Sequence, residues 1–309
     1  MDEKDSKQIE EIIRKNKEGL KDASVRRYVQ CLVSLWEVAF SKMTKEFHPK
    51  LFFADHKRIM EALDGIKITT RKTMLCALMA ISHGEKDEVV KIYRERMIHD
   101  SEVYNQKEQN HEMSESQKEN WIDWDEIKKS YEVLGKRIAW AWKAEPSKDN
   151  LLVLQKYVIL SCYVLIPPRR SVDYTDIKWK DYDEKTDNCY DSKGKQFIFN
   201  AYKTARHYGT QKISLPKGLD SIMSKWVKLL KKADNIGPYC FFTEGGNKLT
   251  SAHMSKLLAS VFGKRVGVNI IRHSFVTCNL GSKLKELEQI ATDMGHSTEE
   301  QKLYRKDTA

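Results

Sequence analysis

The sequence predicts a mainly α protein with one small β-sheet, an α+β chain whose first domain is helical and whose second is a mixed α/β unit. Three observations carry this. Apolar residues recur at helical spacing through most of the 309 residues. One stretch, Phe197 to Leu215, reads instead as two strands around Gly209. From Asp100 to Glu119 the chain turns to Glu, Gln, Asn, Ser and Lys with almost no apolar residue, the composition of a solvated helix end followed by a linker. That tract divides the chain into a helical domain over 1–112 and a second domain over 113–309.

In the first domain Ser24 reads as an N-cap, followed by Tyr28, Leu32, Leu35, Trp36 and Ala39 at helical spacing. Arg26, Arg27 and Gln30 fall away from that stripe. A second helix starts near Thr69 or Thr70, with Met74, Leu75, Leu78, Met79 and Ile81 supplying its core. Arg71 and Lys72 stand on its first turn, where they oppose the helix dipole and where they either meet phosphates or form a solvated basic face. A third helical pattern runs from about Asp87 through Val89, Val90, Tyr93 and Met97.

Apolar residues return at Trp121, Ile122, Trp124 and Ile127. The run Leu151 to Ile166 is dense in Leu, Val, Ile and Tyr and reads as a helix buried on most sides. Pro167-Pro168 stops it, because the residue before a proline is pushed out of the helical region. Arg169-Arg170-Ser171-Val172-Asp173 follows at once, then Ile177, Trp179 and a polar turn from Asp181 to Lys195. Phe197, Phe199 and Ala201 alternate with Ile198, Asn200 and Tyr202 as a strand, and Gln211 to Leu215 return, so Lys203 lies near a hairpin tip. A lysine at such a tip is commonly just a solvated charge. Amphipathic helices follow over Leu219–Leu230 and about Ser251–Phe262, separated by the apolar run Cys240-Phe241-Phe242.

Near the C-terminus an arginine, a histidine and a tyrosine fall at short intervals: Arg272, His296 and Tyr304. The helix between them carries Leu284, Leu287, Ile290, Ala291 and Met294, the spacing of a core-packed stripe. Its end is expected to fix His296 relative to Arg272, with Tyr304 brought toward the same point. A guanidinium holds two phosphate oxygens in a planar fork, and a phenol can become a covalent nucleophile, so the set suits attack on a phosphodiester. Any one of the three alone reads as an ordinary interior polar residue.

The formal net charge of +10 fits a polyanionic partner, nucleic acid before membrane, because the basic residues are spread along the chain. Six cysteines with no close pair argue against a zinc module or disulfide framework and suit a reducing compartment. No apolar run follows Met1-Asp2-Glu3-Lys4, and Tyr157 to Ile166 is too short to span a bilayer, so a soluble intracellular protein without a membrane partner is expected.

With Arg170, Lys203, Arg272, His296 and Tyr304 in this order, the chain resembles the tyrosine recombinase (phage integrase) family over essentially its whole length. Arg170 with Asp173 and Ile177-Lys178-Trp179-Lys180-Asp181 looks like the first arginine box. Arg272-His273-Ser274-Phe275-Val276-Thr277 looks like the second, and Met294-Gly295-His296-Ser297 looks like the histidine box. Lys203 lies on a hairpin closing with Ile213-Ser214-Leu215-Pro216, as the family lysine does. The lysine-rich style with Pro-Pro-Arg-Arg resembles integrases of large DNA viruses and their satellites.

The resemblance implies a helical core-binding domain, a linker and a catalytic domain. It also implies double-stranded DNA as substrate, and a homo-oligomer, a tetramer, on the synapsed sites. Tyr304 would attack a phosphate to give a 3′-phosphotyrosyl link and a free 5′-hydroxyl. Arg170 and Arg272 would clamp the non-bridging oxygens, Lys203 would protonate the leaving oxygen, and His296 would donate a hydrogen bond to the phosphate. Neither ATP, nor a metal, nor any other cofactor is implied, and the sequence has no phosphate-binding glycine loop. Arg26, Arg27, Arg71 and Lys72 would contact the DNA backbone.

Two features depart from the family pattern. Asn269 stands where a histidine or lysine usually precedes the second arginine by three residues; its amide can donate a hydrogen bond but cannot carry a proton. Only Arg305 to Ala309 follow Tyr304, where many relatives place a further helix docked on a neighbouring subunit. A type IB topoisomerase, with the same residues in the same order, and a DNA-binding protein with decayed catalysis are the alternatives.

Overall fold

The structure is a computed structural model that describes residues 3–41, 47–233 and 235–304. It is mainly α with one four-stranded sheet, and the chain forms two compact units, Met1–Glu112 and Met113–Ala309.

Unit 1 is helical: α1 (Glu3–Asn16), α2 (Asp22–Phe40), α3 (Leu51–Ala54), α4 (His56–Asp64), α5 (Ile68–Ala80) and α6 (Asp87–Gln109). The expected stripe of α2 is buried at Leu32, Leu35, Trp36 and Ala39, where it joins α5 residues Leu75 and Leu78 in one core. The helix begins earlier than expected. Ser24 lies inside it and donates its N–H to the Lys21 carbonyl, and Asp22 supplies negative charge at the dipole's positive end.

The tract from Asp100 also departs from its reading, because α6 continues through it to Gln109. Asp100 is fully buried instead of solvated. It is held there by Arg71, whose Nε and Nη2 donate to the two carboxylate oxygens at 2.6 and 2.7 Å. Arg71 Nη1 completes the set by donating to the Leu63 and Ile66 carbonyls.

Unit 2 contains α7 (Glu115–Asn120), α8 (Trp124–Arg137), α9 (Lys148–Val164), α10 (Ser171–Thr175), β1 (Ile177–Lys178), β2 (Asn188–Asp191) and β3 (Gln196–Phe199). It continues with α11 (Ala205–Tyr208), β4 (Gln211–Ser214), α12 (Lys217–Lys232), α13 (Ser251–Phe262), α14 (Val268–Asp293) and α15 (Thr298–Tyr304). The strands lie in sequence order; β1 pairs parallel with β2, and the other neighbours pair antiparallel.

Helix α9 is central to the unit and is buried nearly all round. Its Gln155 side chain uses both ends, donating to and accepting from the Phe242 backbone at 2.9 and 2.8 Å, so an interior amide is fully satisfied. Tyr157 of α9 stacks on Tyr131 of α8, and a Cβ at Gly135 would come within 2.8 Å of the Tyr157 ring. Only glycine allows α8 so close.

Strand β2 lies inside the stretch expected to be a polar turn. Cys189 and Tyr190 are buried and pair with Ile198 and Phe197, while Asp191 closes the turn by accepting from the Lys193 and Gly194 N–H groups. Among the described residues no helix is long and apolar enough to cross a membrane.

Candidate active site

After Pro167-Pro168 the chain is not helical until α10, and Arg170 has extended backbone at φ −69°, ψ 151°. Arg169 and Arg170 have different surroundings. Arg169 donates from Nε to Asp173 Oδ2 at 2.9 Å and from Nη1 to Gln211 Oε1 at 2.7 Å. Its guanidinium also lies over the rings of Phe199 and Tyr202. Arg170 stands at the N-cap position of α10, its carbonyl accepting from the Asp173 N–H, and its guanidinium has no hydrogen-bond or ion-pair partner among the described residues.

The guanidinium of Arg272, on the first turns of α14, is also without a partner among the described residues, and it lines the same cavity as Arg170. That cavity has a volume of about 410 Å³, and Tyr208 and Thr204 share its wall. Two guanidiniums with ten free N–H donors between them on one concave surface make an anion site. Beneath it the interior is polar and incompletely paired. Asp173 Oδ1, Tyr163 Oη and Ser274 Oγ are buried without partners. Burial pushes the Asp173 carboxyl up from its ordinary range, with Arg169, Arg170 and Arg272 opposing that rise.

Lys203 stands between Tyr202 and Thr204, both in the cavity wall, with its own side chain exposed. The connection that carries it is longer than a simple hairpin tip, because α11 is inserted before β4. Asn269 is exposed and precedes Arg272 by three residues on α14, the spacing that sets both on one helix face.

His296 and Tyr304 do not join this group. Helix α14 is a single 26-residue helix, so the path from Arg272 to Asp293 climbs about 30 Å at ~1.5 Å per residue. The seven residues of α15 return no more than about 10 Å of that. The expected convergence of Arg272, His296 and Tyr304 is therefore absent from this conformation.

The apolar stripe between them is not core-packed either. Ala291 is buried, but Leu284, Leu287, Ile290 and Met294 are 42, 48, 41 and 58 % exposed. The periodicity was sufficient to make a helix and did not by itself supply a surface to cover it.

His296 and Tyr304 are instead fixed to each other at the far end. Gly295, at φ +76°, ends α14 with the His296 N–H bonded to the Ala291 carbonyl and its own N–H to that of Thr292. This αL turn suits glycine because no Cβ is present. Ser297 then caps α15 by accepting from the Glu300 N–H. The two rings stack with centroids 5.3 Å apart and planes 19° apart. His296 Nδ1 donates to the Ser297 carbonyl at 3.2 Å, since a carbonyl can only accept, and its shielded Nε2 is left without a partner.

Of the residues expected on the DNA backbone, Arg26 and Arg27 are exposed on α2 without an ion pair among the described residues. Lys72 is half-buried with its ammonium 4.7 Å over the Tyr104 ring, at a cavity of about 360 Å³. Arg71 is a correction: its guanidinium is buried and committed to Asp100, which leaves it unable to meet a phosphate. Sequence reading missed the roles of Arg169, Gln211 and Asn188. The sequence set Asp173 in register with Arg170, three residues before it, whereas in the structure Asp173 accepts from Arg169.

No protein-family model matches this chain, and no curated protein matches it. Solved structures to which this chain is similar include two recombinases. The crystal structure of XerA recombinase has a TM-score of 0.37 and 14% sequence identity, covering 99% of this chain and 94% of that one. The XerH site-specific recombinase, bound to its difH substrate in a pre-cleavage complex, has a TM-score of 0.41 and 16% identity, covering 99% and 92%.

Proposed function

We propose that this chain is a site-specific DNA recombinase that cleaves and rejoins duplex DNA through a 3′-phosphotyrosyl link. The observation that carries the reading is the pair of partnerless guanidiniums, Arg170 and Arg272, on one cavity wall. They suit a phosphodiester whose non-bridging oxygens gain charge in the transition state.

In this reading the Tyr304 oxygen forms a bond to phosphorus as the bond to the 5′-oxygen breaks. The phenol proton passes to the free Nε2 of His296, and the resulting imidazolium donates a hydrogen bond to the phosphate. Lys203 gives its proton to the leaving 5′-oxygen. Asn269 contributes a neutral hydrogen bond from the face of α14 that holds Arg272. Attack by another strand's 5′-hydroxyl reverses the sequence, one phosphoester replacing another.

Tyr304 must then reach the arginines, and α14 has the means to let it. Gly281-Ser282 interrupts the helix sequence halfway along, Gly281 has open space where a Cβ would be, and glycine is a poor helix interior residue. A break there lets the exposed stripe Leu284, Leu287, Ile290 and Met294 pack back on unit 2 and carries His296 and Tyr304 with it. Burial of such a stripe favours the folded-back form at about 25 cal/mol per Å².

The test is covalent capture. Purified protein is incubated with supercoiled plasmid and with a pool of nicked random-sequence duplexes, then resolved on a denaturing gel. A protein–DNA adduct with a free 5′-hydroxyl supports the reading. Relaxation of supercoils without strand exchange would assign the same chemistry to a topoisomerase, and binding without an adduct would leave a DNA-binding protein.

A further inference from the structure

Both stems of the connection that carries Lys203 rest on one side chain that belongs to neither strand. Arg169 Nη1 donates to Gln211 Oε1 at 2.7 Å, at the first residue of β4. The same guanidinium lies 4.1 Å over the ring of Phe199, the last residue of β3, and 5.1 Å over that of Tyr202. Its Nε donates to Asp173 in α10 at 2.9 Å. Tyr202 in turn donates its hydroxyl to the Gly209 carbonyl at 2.7 Å, closing the connection at its neck.

Buried Asn188 ties the same region from behind. Its Oδ1 accepts from the Asn200 and Ala201 N–H groups at 2.9 and 2.8 Å, and its Nδ2 donates to the Ala201 and Asp173 carbonyls. Arg169 is thus joined by one peptide bond to Arg170 and by four side-chain contacts to the segment on either side of Lys203 and to α10. A planar guanidinium can stack on rings by its face while its edge donates in two directions; an ammonium cannot.

We infer that Arg169 is a positioning residue that sets Lys203 against the arginine cavity, so that its ammonium lies within reach of the leaving 5′-oxygen. The inference rests on the phosphotyrosyl reading above. In the step concerned, the Tyr304 oxygen–phosphorus bond forms, the phosphorus–5′-oxygen bond breaks, and the Lys203 proton goes to the departing oxygen. General acid catalysis needs its donor within hydrogen-bond distance, so a small displacement of the connection slows this step specifically.

The test separates the acid from the phosphate clamp. Single-turnover adduct formation by the full chain is measured on a duplex recovered by covalent capture, in two versions. One has the ordinary phosphate; in the other, sulfur replaces the bridging 5′-oxygen and leaves as a thiolate, needing no proton. Arg169→Ala is expected to slow the ordinary reaction about tenfold or more and to recover most of that loss on the sulfur duplex, as Lys203→Ala does. Gln211→Leu, which leaves the ion pair to Asp173 intact, is expected to behave in the same direction. Arg169→Lys should not restore the rate, and Arg170→Ala should stay slow on both duplexes. Equal slowing of Arg169→Ala and Gln211→Leu on both duplexes, or no slowing at all, overturns the inference while leaving the parent reading intact. No adduct from the unaltered chain on either duplex removes the parent reading and this inference together.

Discussion

The imidazole of His296 stacks on the phenol of Tyr304, ring centroids 5.3 Å apart, at the end of α14 opposite Arg272. The pair is held at that end by the Gly295 turn and the Ser297 cap. If a break at Gly281 delivers it to the arginine cavity, stiffening that point should slow delivery. Gly281→Ala fits without a clash and favours helix by about 1 kcal/mol, which corresponds to roughly fivefold slower adduct formation with unchanged DNA affinity. An unchanged rate, together with activity restored by mixing Tyr304→Phe and Arg272→Ala chains, would show that a second copy supplies the tyrosine.

Arg170→Ala and Arg272→Ala should each reduce cleavage far more than binding. Removing a donor aimed at transition-state charge costs typically about 100- to 1,000-fold in rate. Binding, spread over many phosphates, should change by much less. Filter binding and single-turnover cleavage on the same duplex read the two effects, and equal losses in both would make these arginines ordinary backbone contacts.

The buried pair Arg71–Asp100 should matter to stability and not to DNA. Arg71→Ala removes the two short bonds to the buried Asp100 carboxylate and leaves it only the longer contact to Arg96 at 3.5 Å, so the loss should fall below the about 3 to 5 kcal/mol of a fully unpaired buried charge, and Arg71→Met with Asp100→Leu should recover most of it. Hydrogen exchange along α5 and α6 in the full chain checks this. The pH dependence has a definite sign. The Arg71 hydrogen bonds hold Asp100 below its ordinary value of 3.8. Its stabilisation is therefore complete above that value and is lost as pH falls through the depressed one. An Asp100→Asn chain should lack this acid-side loss.

Salt dependence separates the basic residues of unit 1. Each phosphate neutralised adds roughly −0.9 to the slope of log affinity against log salt. Arg26→Ala and Arg27→Ala should each flatten the slope by about that amount if these exposed residues meet the backbone. Replacing Arg71 should leave the slope alone wherever the protein stays folded. Equal slopes in all three variants would place the DNA contacts elsewhere.

Much of the fold was legible from local pattern. The run Leu151–Ile166 is dense in apolar residues because α9 is buried nearly all round, and Pro167-Pro168 ends it. What local pattern missed depended on partners distant in sequence. Asp100 looked like solvated linker because Arg71, 29 residues away, is what makes its burial tolerable. Strand β2 has only four residues, and Asn188, one of the most polar, is buried by bonds to the segment after β3. In α14 the spacing of Leu284, Leu287, Ile290 and Met294 correctly gave a helix but not its cover. At the site, the sequence supplied Arg170 and Arg272, and it set Asp173 in register with Arg170 although Asp173 engages the neighbouring Arg169.

The most direct measurement compares covalent capture by the unaltered chain and by Tyr304→Phe on nicked suicide duplexes. The unaltered chain should form an adduct that survives denaturation, with a free 5′-hydroxyl on the released strand. Tyr304→Phe should form none while binding the same duplex with nearly the same affinity, since one hydroxyl is a small part of a broad phosphate-contact surface. An adduct that persists in Tyr304→Phe would contradict the account and move the nucleophile to Tyr208, the exposed tyrosine already at the arginine cavity.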